Sequence, residues 1–451
     1  MSEIGDGLPY PQRFWALSAV AMASSLAVLD GPLVNIALPV ISADMKVSAA
    51  ASIWVANAYQ LAITVTVLAL AVLGDIVGHR RVYSYGIALF TAASLGCALS
   101  SNLETLIFWR VLQGLGGAGI FAVNGELMRY IHPRAKLGQG MSINATAVAV
   151  ASAAGPTLAA AILAVAPWPY LFFINLPAGL FALWMTRHLP SGGSVARRFD
   201  WYGALLNAIF FGLTVTALDG IGRSDDRWIA VAEAVAAVLV LWILVRNQRG
   251  KAFPILPLDL FANRLFAMTA VVGVLGYASA AMALVALPFL FHAHGLSTAT
   301  TGLLISPWPI GTALFAPIVG RLSDRAPGGI LSSAGLGLLM AGLVMVLLAP
   351  ADATIPDMAW RTLLCGIGYG VFQTPNNRLM LTAAPPDRAG ASNGVMSSAR
   401  LTGVSAGTAA VAAVFGLTAS LGLSVGSRAA LLAAIATAGT GLAFGLLRQA
   451  R

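Results

Sequence analysis

Residues 14–41 read FWALSAVAMASSLAVLDGPLVNIALPVI, an apolar run with one charged side chain, Asp30. The run is too long for the core of a secretory signal and lacks a basic leader in front of it, so it reads as a mature membrane helix. The rest of the chain repeats the pattern. Of 451 residues, 58% are hydrophobic and only 10% charged, and the mean hydropathy is +0.83. A soluble domain carries about a quarter charged residues. The charges here are too few to cover a water-facing surface, so lipid is the main solvent. Apolar runs continue to near residue 448 and leave no room for a soluble domain. Strand-type alternation in ten-residue units is absent, which argues against an outer-membrane barrel.

Lipid cannot satisfy backbone N–H and C=O groups, so each apolar stretch of about twenty residues is expected to be a helix. Fourteen such spans are expected, at 14–41, 48–73, 82–100, 103–129, 137–166, 168–188, 200–221, 227–245, 264–291, 297–320, 329–349, 356–380, 389–416 and 427–448. With the N-terminus inside, 19 of the 26 Lys and Arg fall in cytoplasmic segments, 5 in outer segments, and two, Arg110 and Arg400, within spans. That asymmetry is the positive-inside signature and places both termini in the cytoplasm. The net charge of +9 is therefore topology, and no nucleic-acid partner is expected. Cys97 and Cys365 both lie in apolar runs and read as packing residues.

The segment LGDIVGHRR at 73–81 and the shorter GRLSDR at 320–325 each close the second span of a six-span unit, provided the seventh and eighth spans are an insert. The expected architecture is an all-α membrane fold. An N-terminal six-helix bundle (14–188) is followed by a two-helix insert with its flanking loops (189–263) and a C-terminal six-helix bundle (264–448). Parallel repeats of this kind hold a substrate site near the midplane between the halves.

Charge at depth marks the candidate chemistry. Asp30 sits about 25 Å into its span and about 15 Å from the outer end; Arg110 sits about 10 Å from the outer end of the fourth. An isolated carboxylate at that depth costs several kcal/mol unless paired, protonated or wetted. The similar depths make an Asp30–Arg110 pair geometrically possible, and a static buried ion pair is the bland alternative. Gly155-Pro156 interrupts the fifth span, where proline removes a backbone donor and bends the helix. Glu126 has Arg129 close by and reads as structural, while Glu233 on the insert has no account. His292 and His294 are adjacent in an outer loop without further ligands, so no metal site is expected. No Walker loop is present, which argues against direct use of ATP.

Several segments in sequence resemble the major facilitator superfamily, and within it the fourteen-helix drug:proton antiporter branch: LDGPLVNIALP (29–39), WVANAYQL (54–61), LGDIVGHRR (73–81), RVLQG (110–114), Gly155-Pro156, FQTPNNRLM (372–380) and SARLTG (398–403). The sequence departs from the branch at Ala71 and at Ala151, Ala159 and Ala160, where glycine is usual, and at Pro327 in the second loop motif.

The resemblance implies a major-facilitator-type fold. It gives Asp30 and Arg110 roles in proton coupling, and Asp75, Gly78, Arg80 and Arg81 the role of a cytoplasmic latch with Asp324 as its weaker counterpart. Gly155 and Pro156 would act in gating. Trp54, Asn57, Tyr59, Gln60, Gln373, Asn376 and Arg400 would be substrate-site candidates on spans that line the central cavity, with inter-helix hydrogen bonding as the alternative. The function it implies is a secondary exporter of small lipophilic compounds in the bacterial cytoplasmic (inner) membrane, driven by the proton gradient without a cofactor. Its partners would be the substrate, protons and the bilayer, and the chain is expected to act as a monomer. A proton-coupled importer or a uniporter on the same fold is the alternative. A membrane-embedded enzyme would need clustered nucleophiles, metal ligands or paired acids at one depth, and the sequence has none.

Overall fold

The computed structural model describes residues 7–133, 136–190, 199–220, 227–249, 251, 258–323, 326–350, 353–385 and 389–449. All regular structure among them is helical. The first half holds α1 (Gln12–Asp44), α2 (Ala49–Val77), α3 (His79–Ala98), α4 (Leu103–Ile131), α5 (Leu137–Val165) and a broken helix, α6 (Tyr170–Phe173) with α7 (Asn175–Met185). Two helices follow, α8 (Trp201–Gly220) and α9 (Arg227–Gln248). The second half holds α10 (Arg264–Ala293), a second broken helix, α11 (Thr298–Ile305) with α12 (Pro307–Leu322), then α13 (Gly328–Leu347), α14 (Ile355–Ala383), α15 (Ala389–Leu417) and α16 (Leu423–Leu447). Both breaks are proline effects. Pro307 cannot extend α11, and Pro177 has no N–H for the Phe173 carbonyl.

With each broken helix counted once, these elements follow the fourteen expected spans, their ends shifted by a few residues. Among the described residues, eleven are long and apolar enough by themselves to cross a bilayer. The other three are α3, α6–α7 and α14. The first opens on His79, Arg80 and Arg81, the second is broken, and the third carries Gln373, Asn376, Asn377 and Arg378 along its length.

The internal repeat is visible in the packing. In the first half α1 packs on α5 and α7, α4 on α2 and α3, and α3 on α7. In the second half α10 packs on α15 and α16, α14 on α12 and α13, and α13 on α16. These are the same pairings in the same order, so the molecule is two six-helix bundles. The helices α8 and α9 pack on each other, and α8 also lies against α2 and α15, one helix from each bundle. At the base of this hairpin Asp200 accepts hydrogen bonds from Lys251 Nζ (2.6 Å), Gln248 Nε2 (3.1 Å) and the Gly203 N–H (2.9 Å). Burial would raise the Asp200 carboxyl, but these donors outweigh it and hold it below the usual carboxylate range.

The start of α1 and the end of α16 lie at one end of the bundle, the terminal face; the opposite end is the far face. In the far half one apolar core runs through both bundles, from Leu33, Ile36 and Ile53 to Leu287, Phe289, Val411 and Phe415. Toward the terminal face the buried apolar residues divide. One cluster lies mainly in α1–α4 (Val20, Tyr83, Val123) and reaches the second bundle at Leu401 of α15, and separate ones lie around α10 and α14 (Phe266, Met380; Tyr277, Phe372). The bundles therefore share one core in the far half, while toward the terminal face their cores are separate except where Leu401 of α15 joins the first bundle's cluster.

Two hydroxyl pairs cross the seam where the bundles meet: Thr157 of α5 with Ser306 beside α11 (2.6 Å), and Thr64 of α2 with Ser405 of α15 (2.9 Å). Close approach needs small residues here, because lipid supplies no hydrophobic drive between helices. A Cβ on Gly155 would stand 2.6 Å from Pro32 Cβ of α1, and one on Gly302 would stand 2.6 Å from the Pro156 carbonyl oxygen. The Gly155-Pro156 step is thus the point where α1, α5 and α11 meet.

Candidate functional site: a buried ion pair beside a polar cavity wall

Asp30 and Arg110 meet. The helix α1 brings Asp30 in from the terminal side and α4 brings Arg110 down from the far side, as their depths in sequence require. Arg110 Nη1 donates to Asp30 Oδ2 at 2.5 Å. Asp30 is 1% exposed and Arg110 fully buried. Gln113, one turn along α4 from Arg110, completes the arrangement. Its Oε1 accepts from Arg110 Nη1 (2.6 Å), while its Nε2 donates to Asp30 Oδ1 (2.9 Å) and to Ser94 Oγ of α3 (2.9 Å). Arg110 Nε donates to the Val55 carbonyl of α2 (2.8 Å), and the guanidinium carbon lies 4.3 Å from the centre of the Tyr59 ring. Tyr59 is fixed in turn by its hydroxyl, which donates to the Ala27 carbonyl of α1 (2.8 Å). The α2–α4 contact that permits this depends on Gly114, where a Cβ would come within 2.5 Å of the Tyr59 carbonyl oxygen.

Chemically, this is a network in which one proton changes the charge balance. With Asp30 ionised, its two oxygens accept two donors and neutralise Arg110. With Asp30 protonated, one oxygen becomes a donor facing donors, and Arg110 loses its counter-charge. Arg110 Nη2 is buried without a hydrogen-bond partner, so even the ionised network leaves its two N–H groups unspent.

Across the seam, α10, α14 and α15 present a second polar group. Tyr369, Gln373 and Asn377 stand at i, i+4 and i+8 on α14, all half-buried. Tyr277 of α10 donates to Asn377 Oδ1 (2.8 Å), and Gln373 also hydrogen-bonds the Tyr277 hydroxyl. Arg400 of α15 lies within electrostatic reach of both tyrosines and is exposed.

The other residues singled out in the sequence fall in several places. Gln60 and Asn57 lie on the stripe of α2 that carries Thr64 and faces α15. Gln60 Nε2 and both polar atoms of the Asn57 amide are buried without partners. Trp54 lines a groove toward the far face with Leu103, Ile107 and Phe415. Asn376 is fully buried between α10 and α16, donating to the Thr269 carbonyl (3.4 Å) and accepting from Arg448 (3.4 Å). It therefore packs helices together, and its neighbour Asn377 is the one that reaches Tyr277.

At the terminal face, Asp75 pairs with His79 Nε2 (3.2 Å) one turn on. Gly78 between them has φ +100°, which favours glycine, and turns α2 into α3. Arg80 is half-buried and Arg81 exposed. Asp324 lies outside the described residues. Glu126 and Arg129 form an exposed pair at 3.0 Å. Among the described residues no group of three or more His, Cys, Asp or Glu could hold a metal ion.

This arrangement has a wide kinship. The family model described as Major Facilitator Superfamily matches residues 20–408. The chain belongs to the Major Facilitator Superfamily. Two curated superfamily relatives and one solved structure place it further. It is 43% identical over 97% of both chains to YebQ of Escherichia coli (strain K12), named an uncharacterized transporter. It is 31% identical to the multidrug resistance protein Stp of Mycobacterium tuberculosis (strain CDC 1551 / Oshkosh), covering 88% of this chain and 75% of that one. A bacterial homologue of the human lysosomal transporter Spinster, solved inward-facing and unoccupied, superposes with a TM-score of 0.68 over 98% of both chains at 15% identity. That last likeness is one of fold. The protein is a multi-pass membrane transporter of this superfamily and not an enzyme.

Proposed function

We propose that this transporter is a proton-coupled exporter that exchanges protons for small amphipathic molecules by alternating access. The observation that carries the reading is the sealed Asp30–Arg110–Gln113 network between α1 and α4. A carboxylate 1% exposed at this depth has a use if it gains and loses a proton as the bundles rock. Ionised, it ties α1 to α4. Protonated, it releases Arg110 and loosens the α1–α2–α4 contacts next to the seam. Because α1 also packs on α5 at Gly155, a change at Asp30 has a mechanical route to the Thr157–Ser306 contact between the bundles.

The excess of basic residues at the terminal face supports a topology with both termini in the cytoplasm. On that topology the described conformation opens inward. The bundles at 14–188 and 264–448 then rock about the seam, with 189–263 as a strut against α2 and α15, and the latch residues Asp75, Gly78, Arg80 and Arg81 lie where the cytoplasmic side must close. Likeness to a multidrug resistance protein supports export, and the bacterial relatives support residence in the cytoplasmic membrane.

The test is flux in proteoliposomes under an imposed pH gradient of each sign. An antiporter concentrates substrate in an acid lumen, because protons leaving drive substrate in, however the protein is oriented. Accumulation with the acid outside would instead make it a symporter. Equilibration indifferent to pH would make it a uniporter.

A further inference from the structure

Among the described residues Arg400 is a mid-span charge that the network just described does not absorb. It stands about 17 Å along α15 from its start, on one stripe with Val404, Val411 and Phe415 (i, i+4, i+11, i+15). Val411 and Phe415 are buried in the core shared by the two bundles, and Phe415 packs on Phe289 of α10 at 5.0 Å between ring centres. Phe415 also faces Trp54 of α2 and Leu103 and Ile107 of α4 across a groove, so the stripe is turned toward the first bundle. Nearer the terminal face the same stripe carries the exposed guanidinium of Arg400, next to Leu401, which packs into the first bundle's cluster.

Among the described residues no carboxylate pairs with Arg400. The side chains that its charge reaches, Tyr277 and Tyr369, are neutral; α15 lies against Tyr277 at Gly403, and Tyr277 is held in turn by Gln373 and Asn377. On the opposite wall Asn57 and Gln60 bring buried amides with unspent hydrogen-bonding capacity to the α2 face that meets α15. Asp30 cannot serve as a rival cation site, since both its oxygens are taken and it is closed from the cavity. An unpaired cation at mid-membrane is costly unless water or a counter-charge meets it.

We propose that Arg400 is the charge-selecting residue of the substrate site, and that the substrate is an amphipathic organic anion. Its acid group pairs with the Arg400 guanidinium, which is suited to carboxylate or sulfonate by its fork of donors. Its apolar body lies against the half-buried ring of Tyr369. The inference deepens the exporter reading and rests on its placing the substrate between the bundles.

The test uses three fluorescent dansylamides that differ only at the end of a two-carbon tail: sulfonate, hydroxyl or trimethylammonium. Each is titrated onto the full-length protein in detergent, with no gradient present. The sulfonate is expected to bind about 10- to 100-fold more tightly than the other two, the scale of one charge-assisted contact. Arg400→Gln should bring the sulfonate down to the hydroxyl compound and leave that compound unchanged, and Arg400→Lys should recover part of the preference. The proposal is overturned if the sulfonate has no advantage, including if none of the three binds. It is equally overturned if the trimethylammonium compound binds best, or if Arg400→Gln weakens all three alike. Charge selectivity without proton exchange would sink the exporter reading and leave this one standing; proton exchange without selectivity would do the reverse.

Discussion

Replacing Asp30 with Asn removes the titrating group and keeps nearly the same shape. In the wild type the carboxylate accepts two hydrogen bonds, from Arg110 Nη1 at 2.5 Å and Gln113 Nε2 at 2.9 Å. Asn has one acceptor oxygen, and its NH₂ meets a donor whichever way the amide turns. One bond is lost, and Arg110 loses its only counter-charge among the described residues. Breaking a buried pair from one side costs about 3–5 kcal/mol. The cost should stay within that range because the Val55 carbonyl, Gln113 Oε1 and the Tyr59 ring remain on the guanidinium. The melting midpoint in detergent should fall by several degrees. Arg110→Gln in the same chain should recover most of that fall, since no uncompensated charge is then left. Substrate binding should persist in both variants, and accumulation driven by a pH gradient should be at background in both. If Asp30→Asn, shown to be folded, still concentrates substrate in response to the gradient, Asp30 is structural and the proton site lies elsewhere.

Two further expectations follow from the fold. Glu233 lies on α9, which packs on α8 and presents Trp228, Val235 and Trp242 outward, so Glu233→Gln should leave proton-driven transport within about twofold of wild type; complete loss would bring the insert into the mechanism. Cys97 and Cys365 are buried, so single cysteines at exposed His294 on the far face and Lys136 on the terminal face can be read against a silent background. In intact cells an impermeant thiol reagent should label the first and spare the second, and the opposite pattern would invert the topology.

Much of the fold was legible because bilayer solvation leaves few options. Runs of about twenty apolar residues must be helices. The Asp30–Arg110 pair was legible from depth along two antiparallel helices. Gln113 was missed, although it lies one turn from Arg110 within the quoted RVLQG and so shares its face.

Other features were beyond a one-dimensional reading. Asn376 and Asn377 differ by 100° of helix rotation, and α14 is polar on enough sides that sequence does not say which amide faces the cavity. Tyr277 is one of few polar groups in an apolar run, and its partner is a hundred residues away. His79 lies within LGDIVGHRR with no role of its own in the sequence, while the structure pairs it with Asp75. The exposure of Arg400 depends on where the shared core stops, which is a property of both bundles together.

The exchange of substrate for protons can be measured most directly without imposing any pH gradient. Purified protein is sealed in liposomes with a pH-sensitive dye in the lumen, and a tightly binding probe is added outside. The account predicts that the lumen turns alkaline as substrate enters and protons leave, and that Asp30→Asn abolishes the response. A lumen that turns acid, or one that stays unchanged while substrate enters, would contradict it.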